Sequence, residues 1–213
     1  EAHALVEEVT ETRDELLAAE YVDDAGMRLV CEVAQLPHPV AEHWPYYLLT
    51  ETARTPHLPA NVDAAVDRRL WAYRERQSEA AATLGAGHSL DIALGHRDLD
   101  EFLGRLPSLV HPHPVFTFGH LAEGNVHVQL NGPAADDHGP TEAVLKEVAD
   151  LGGSVSSEHG VGRAKPEFLE LSRSPGEIGV MRKVKWAIDP GGLLNPGVLF
   201  TSETPTGATM AQP

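Results

Sequence analysis

Hydrophobic and polar residues alternate along residues 116–130 (FTFGHLAEGNVHVQL), and this alternation predicts a β-hairpin. Its apolar members recur with a period of two on both halves, and they are Phe116, Phe118, Val126, Val128 and Leu130. Turn-forming residues at 122–125 separate the halves, because glycine and asparagine accept the positive φ of a tight reversal. A four-residue loop there places His120 opposite His127, with Cβ atoms about 4.5–5.5 Å apart.

Two imidazoles so placed can share one divalent cation, whose nitrogen ligands lie at roughly 2.0–2.1 Å. The alternative is a hairpin with two histidines on a polar face and no ligand. A second stretch, residues 152–165 (GGSVSSEHGVGRAK), favours the site. It places Glu158 and His159 at the end of a predicted short strand, before a glycine-rich loop. A carboxylate beside a histidine suits a third ligand and a proton-accepting base, respectively.

The remaining periodicity predicts helices and strands in alternation. Helical spacing covers residues 1–20, 62–84, 99–106, 141–151 and 175–188, while 27–33 fits a short helix or a strand. Strand patterns cover a buried segment at 46–51, residues 90–94 and the neighbourhood of Val155. Short turns join the clearest strands, which predicts an α+β fold with a largely antiparallel sheet and helices on one side.

Composition narrows the class of partner. The chain has 213 residues, 42% of them hydrophobic and 23% charged, which is ordinary for a globular protein. Its formal charge of −16 argues against nucleic acid or an anionic membrane surface as the main partner. No apolar run reaches the ~18 residues of a membrane span. The single cysteine, Cys31, allows no internal disulfide, so a cytoplasmic location is expected.

For other polar residues the pattern predicts structural roles only. Arg74 and Ser78 lie one turn apart on the predicted helix 62–84, where an exposed or salt-bridged arginine is the ordinary expectation. His38 is flanked by prolines and is predicted to be exposed, while His111 and His113 are predicted to be linker residues that prolines hold on a loop.

Four motifs occur in order along the chain. They are LWAYRE at 70–75, GHLAEGNVHV at 119–128, GGSVSSEHGVG at 152–162 and DPGGLLNPG at 189–197. Together they resemble the C-terminal domain of FAD-linked oxidases, the group of glycolate oxidase, D-lactate dehydrogenase and D-2-hydroxyglutarate dehydrogenase. The runs YVDDAGMRLV and YYLLTETA resemble the D-2-hydroxyglutarate branch in particular.

The resemblance implies a domain organisation. It extends to about residue 200, so residues 1–200 are expected to form the cap or substrate domain, with a C-terminal helical segment packing toward a flavin domain. Because the chain opens at Glu1 within a helical pattern, it is expected to be N-terminally truncated. Residues 201–213 have too few apolar side chains for a core and are expected to form a disordered tail.

The resemblance also assigns roles to individual residues. They are the metal ligands His120, His127 and Glu158, the catalytic base His159, the substrate-binding Arg74 and Ser78, and the flavin-proximal Asn195. Ser89 stands where the family often has a lysine, which leaves the substrate open.

The implied activity is FAD-dependent oxidation of a D-2-hydroxy acid to the 2-oxo acid. The implied cofactors are FAD and a divalent metal, with zinc as the candidate. The implied partners are a small 2-hydroxy acid, an N-terminal FAD-binding domain or chain, and an unidentified electron acceptor. A stand-alone metal- and carboxylate-binding domain without redox activity is the main alternative. A metal-dependent hydrolase using the two histidines and the glutamate is a third reading, which no separate motif supports.

Overall fold

The computed structural model describes residues 16–53 and 68–200, which form one five-stranded sheet with helices packed on it. The strands are β1 (Leu16–Asp23), β2 (Tyr46–Thr52), β3 (Gly87–Ala93), β4 (Val115–His120) and β5 (Asn125–Asn131). Their order across the sheet is β2-β1-β4-β5-β3, and every neighbouring pair is antiparallel. The predicted α+β class with an antiparallel sheet is confirmed.

Helices occupy most of the segments between the strands. They are α1 (Asp24–Val33), α2 (Trp71–Glu75), α3 (Gln77–Ala82), α4 (His96–Val110), α5 (Gly139–Asp150), α6 (Leu169–Ser172) and α7 (Pro175–Ile188). Short 3-10 turns lie at Arg68–Leu70, Leu121–Glu123 and Pro166–Phe168. Across the described ranges, no helix has the length and apolar character needed to cross a membrane.

The main core lies on one face of the sheet. Because side chains alternate along a strand, Leu90 and Ile92 of β3 share this face with Val126 and Val128 of β5. All four are buried, and they belong to one cluster with apolar residues of α4 and α5, Phe102 among them. This face is apolar and closed, and Asp91 of β3 and His127 of β5 lie on the other face.

A smaller core covers part of that second face. Val22 of β1 pairs with Phe118 of β4, and both pack with Met27 and Val30 of α1 and Tyr73 of α2. Helices therefore cover both faces, and the expectation that they lie on one side is wrong. The rest of the second face carries the polar residues of β1, β3, β4 and β5.

The N-terminal prediction is wrong where it can be compared. Residues 16–20 were expected in a helix, but they begin β1, which pairs with β2 along its length and with β4 over Glu20–Val22. Pairing with two strands outweighs the weak helical periodicity of an alanine- and leucine-containing segment. Residues 1–15 lie outside the described residues, as do the predicted helix start near residue 62 and the tail 201–213.

Three further predictions need correction. The expected helix 62–84 is, over its described part, two short helices separated at Arg76 (φ −88°, ψ 3°). The strand at 46–51 exists, but it is an edge strand and only half-buried. Around Val155 there is no strand, only an isolated bridge between Ala93 and Ser154. By contrast, the predicted helix 175–188 matches α7 (Pro175–Ile188) at both ends.

Candidate functional site

The central hairpin forms, but with a longer turn than predicted. Phe118, not His120, pairs with His127, because residues 121–123 form a 3-10 turn and Gly124 takes a left-handed φ of +69°. His120 follows Phe118 by two residues and so shares its face of the sheet. The two imidazole centroids lie 5.7 Å apart. The predicted direct opposition is wrong, while the predicted convergence of the two rings is present.

His120 is held by a buried carboxylate on the neighbouring strand. Its Nδ1 donates to Glu20 Oε1 at 2.6 Å, since a carboxylate only accepts. Its Nε2 faces Glu158 Oε1 at 3.4 Å. If the ring is neutral and Nδ1 carries the proton, Nε2 has only a lone pair, and this lone pair faces another acceptor, the Glu158 oxygen. Such a pair is stabilised by a cation between the two atoms, either a proton or a metal ion.

His127 is the buried member of the cluster, only 7% exposed. Burial and, after it, the positive charge of Arg74 lower its pKa to about 4, against the opposing effect of Asp91. Its Nδ1 lies 3.6 Å from Asp91 Oδ1, an electrostatic contact too long for a hydrogen bond. His127 is therefore neutral at pH 7 and keeps a lone pair for a ligand.

Asp91 positions the loop that carries the remaining site residues. Its Oδ2 accepts the backbone N–H groups of Ser157, Glu158 and His159 at 3.1, 2.7 and 2.8 Å. Its Oδ1 accepts from Asn125 Nδ2 at 2.9 Å. Burial by itself raises the pKa of Asp91, but the hydrogen bonds from His159, Glu158 and Asn125 outweigh it and lower the pKa. An ionised, buried carboxylate thus replaces the predicted strand as the support of this loop.

The three predicted metal ligands come together. One ligand atom each from His120, His127 and Glu158 lies within 4.8 Å of the other two. Asp91, His127 and His159 form an overlapping group that meets the same criterion. Two imidazoles and one carboxylate are the ligand set of three-ligand zinc sites that keep one position open. The donor chemistry of this cluster fits a divalent cation.

His159 and Arg74 border the cluster. The His159 ring stacks on His127, with centroids 5.5 Å apart and an interplanar angle of 15°, and its side chain is 68% exposed. Arg74 Nε donates to Glu20 Oε2 at 2.7 Å, and its guanidinium lies 4.7 Å from the Phe118 ring centroid. Within the described ranges, no residue hydrogen-bonds either Nη group of Arg74.

Ser78 and Asn195 do not join the cluster. Both are exposed, and Asn195 lies in the turn after α7 with φ +48°. Among the residues described, no hydrogen bond or ring contact links either one to His120, His127 or Glu158. Ser89, at the position of the family lysine, accepts a hydrogen bond from Gln129 Nε2 at 2.9 Å.

Sequence reasoning missed Glu20 and Asp91, both nearly fully buried at 4% and 3% exposed. Asp91 could have been noticed as the one charged residue in the apolar run Leu90–Leu94. Glu20 lies in the predicted helix 1–20, so the strand that buries it was not predicted.

The chain matches a family model described as FAD linked oxidases, C-terminal domain, over residues 1–199. It is 29% identical over 221 residues to a D-2-hydroxyglutarate dehydrogenase of Stutzerimonas stutzeri, covering 88% of this chain and 47% of that protein. A Xanthomonas citri protein of the same name is 31% identical, with 87% and 46% covered. The mitochondrial D-2-hydroxyglutarate dehydrogenase of Bos taurus is 32% identical, with 85% and 38% covered. The chain thus spans less than half the length of these relatives.

Proposed function

We propose that this chain, which belongs to the family of FAD linked oxidase C-terminal domains, is the substrate domain of an FAD-dependent dehydrogenase acting on D-2-hydroxy acids. One observation carries the proposal: His120 Nε2 faces Glu158 Oε1 at 3.4 Å, and a ligand atom of His127 lies within 4.8 Å of a ligand atom of each. A cation at that point lies on the same face of the sheet as the guanidinium of Arg74. An α-hydroxy carboxylate offers an oxygen to the cation and a negative group to the arginine.

His120, His127 and Glu158 would hold the divalent cation, and zinc suits their chemistry. When bound, the cation supplies Lewis acidity toward the α-hydroxyl and the flavin supplies the hydride acceptor for C2. Arg74 would bind the carboxylate through its Nη groups, since Glu20 already holds its Nε. His159 would accept the hydroxyl proton at a ring nitrogen, because its ring is exposed beside His127.

D-2-hydroxyglutarate is the substrate we propose within this class. The relatives in Stutzerimonas, Xanthomonas and Bos taurus are named D-2-hydroxyglutarate dehydrogenases. A chain of formal charge −16 repels a dianion in general, so local positive charge must offset that field. The cation and Arg74 supply it here, while Ser89, in place of a lysine, supplies none.

Most of the FAD would be bound by another part of the enzyme. The described sheet is antiparallel throughout, so it has no crevice of the kind that holds dinucleotides in parallel sheets. We propose residues 1–200 as the substrate domain and α7 as its contact with the FAD-binding part. Val180, Val184 and Ile188 recur every four residues on α7 and are 59%, 54% and 71% exposed. Asn195 follows on the next turn, toward the flavin.

Calorimetry on the zinc-loaded chain tests substrate binding. We expect D-2-hydroxyglutarate to bind and Arg74→Met to weaken it roughly 10–100-fold, the value of a lost charge-assisted hydrogen bond. Arg74→Lys keeps the charge without the fork geometry, so its affinity for the substrate should lie between those of wild type and Arg74→Met. Arg105→Met is the control, because Arg105 is exposed and pairs with Glu101 and Glu147. Equal affinity in Arg74→Met and Arg105→Met would contradict the role of Arg74.

Metal content tests the ligand set separately. His120→Ala should release one equivalent of zinc by elemental analysis, while His138→Gln, an exposed histidine, should release none. Reduction of flavin by the D-isomer, in a preparation that includes the FAD-binding part, tests the dehydrogenase activity. A chain that binds zinc and hydroxy acid but never supports flavin reduction would instead indicate a stand-alone binding domain.

A further inference from the structure

A second group of metal-ligand side chains comprises one residue at the start of α1 and two residues in the loop between α1 and β2. One ligand atom each from Asp24, His38 and His43 lies within 4.8 Å of the other two. None of the three belongs to the cluster around His120. We propose that these residues form a second site for a divalent transition-metal ion, which ties this loop to the first turn of α1.

His38 already has the hydrogen bonding of a metal-binding histidine. It was expected to be exposed, but it is half-buried. Its Nδ1 contacts the carbonyl oxygen of Val40 at 2.8 Å and must donate, because a carbonyl only accepts. Nε2 of the neutral ring then carries a lone pair, and this buried atom has no hydrogen-bond partner among the described residues. A carbonyl-bound Nδ1 with a ligand-ready Nε2 is the usual arrangement of histidine on a metal.

His43 and Asp24 supply the other two ligands. The His43 ring centroid lies 4.4 Å from that of His38, and His43 Nδ1 lies 3.3 Å from Asp24 Oδ1. Asp24 offers a carboxylate oxygen as the third ligand. Two imidazoles and one anion therefore converge without any large rearrangement of the backbone.

The loop that carries His38 and His43 is fixed at several points. Asp24 N–H donates to the Pro45 carbonyl at 3.1 Å, and Tyr73 Oη donates to the Pro37 carbonyl at 2.6 Å. Tyr47 Oη donates to Asp24 Oδ1 at 2.9 Å, and the Tyr47 ring packs 5.3 Å from the His38 ring. These bonds hold the ligands in place before a metal arrives, which reduces the entropy lost on binding.

The donor set selects the class of ion. Imidazole nitrogens suit zinc, cobalt, nickel and copper, whereas magnesium and calcium need mainly oxygen ligands. Ligand atoms around a tetrahedral ion with bonds of about 2.0–2.2 Å are roughly 3.3–3.6 Å apart, so small side-chain rotations close the site. Arg28 Nη2 competes for Asp24 Oδ2 at 2.6 Å, but its side chain is 62% exposed and free to turn into solvent.

Cobalt(II) titration of the whole chain, followed by visible absorption, tests the second site. We expect wild type to bind two equivalents, His43→Gln one and His120→Ala one. The double variant should bind none, while His138→Gln should keep both. His43 is exposed, so His43→Gln is expected to fold normally, as circular dichroism checks. Arg28→Gln, which removes the competing cation, should tighten the equivalent that His43→Gln removes.

The outcomes distinguish the second site from the site around His120. Cobalt binding that is identical in wild type and a folded His43→Gln would overturn the second site, whatever His120→Ala does. Loss of an equivalent in His43→Gln alone would support it, even if His120→Ala changed nothing and the first site failed. Equal loss in His138→Gln would show nonspecific histidine binding and would also overturn it.

Discussion

At the scale of single residues, Glu20 connects a proposed metal ligand with the proposed substrate-binding arginine. One carboxylate oxygen accepts from His120 Nδ1 and the other accepts from Arg74 Nε. Its side chain is only 6% exposed, so both contacts lie where charge is weakly screened. Glu20 therefore fixes the ring orientation of a metal ligand and the position of the proposed substrate arginine together.

Glu20→Gln should weaken zinc binding at the His120 site by about 10–100-fold, because it replaces the carboxylate behind a ligating histidine. A chelator competition assay measures the change. Glu142→Gln removes an exposed carboxylate that pairs with Lys146 on α5 and serves as the control. Unchanged zinc affinity in Glu20→Gln would show that His120 does not depend on this carboxylate.

Asp23 gives the stability a distinct dependence on pH. Burial raises its pKa from 3.8 to about 6, although Gly26 and Thr117 donate hydrogen bonds that lower it. The folded state then binds an extra proton between these values, so the contribution of Asp23 to stability falls as pH rises through this window. The upper limit of the loss is about 3 kcal/mol.

Asp23→Asn should remove this pH dependence. The lost hydrogen-bond acceptor should change the unfolding free energy by an amount that is the same at every pH. The unfolding free energy of wild type relative to Asp23→Asn is therefore expected to fall between pH 4 and pH 7. Urea denaturation with a chelator present measures it. Asp136→Asn, at an exposed residue, is the control, and a difference that does not change with pH for Asp23→Asn would refute the raised pKa.

At the scale of elements, the hairpin turn sets the geometry of the two histidines. Gly124 ends the 3-10 turn at φ +69°, and a Cβ there would collide with the carbonyl oxygen of Leu94. The same two residues form a backbone hydrogen bond, from Leu94 N–H to the Gly124 carbonyl at 2.9 Å. The turn thus joins the end of β3 to the hairpin and keeps His120 near His127.

Gly124→Ala should destabilise the fold by at least about 1–2 kcal/mol, the cost of the left-handed conformation alone. It should also weaken zinc binding, since the collision displaces the turn between the two ligands. Gly104→Ala is the matched control, because Gly104 lies within α4 with open space around its Cα. There the same change should stabilise the helix by roughly 0.5–1 kcal/mol. Similar effects of both changes on chemical denaturation would contradict this account.

At the scale of the whole molecule, the main core and the candidate site lie on opposite faces of the sheet. One face is closed by α4 and α5 over the main apolar core, and the other presents the site beside a small core under α1 and α2. α7 packs through Ile178 and Met181 onto a third cluster with Val161 and Leu169. The neighbouring face of α7, which carries Val180, Val184 and Ile188, is apolar and exposed, which is typical of a surface that another part of a protein covers.

Val184→Glu should leave the unfolding free energy of the chain within about 0.5 kcal/mol, because this side chain is 54% exposed. It should also lower the binding of a hydrophobic dye and reduce self-association in sedimentation. Leu84→Glu, at an apolar residue 49% exposed just after α3, should change both properties less. Unfolding of Val184→Glu would show that this face packs within the chain itself.

The sequence by itself determined the elements whose signals are contiguous. The period of two predicts β4 and β5, and the bounds of α7 follow from Pro175 at its start and the glycine-rich segment after Ile188. The four motifs identify the family.

Only the tertiary structure decided the rest, because those features depend on residues far apart in the chain. β1 exists through its pairing with β2 and β4, so its local periodicity misled the prediction. The loop of Glu158 is shaped by Asp91, 67 residues away, and His120 is oriented by Glu20, 100 residues away. A buried carboxylate acquires its role from the partners that folding brings to it, and no local pattern records those partners.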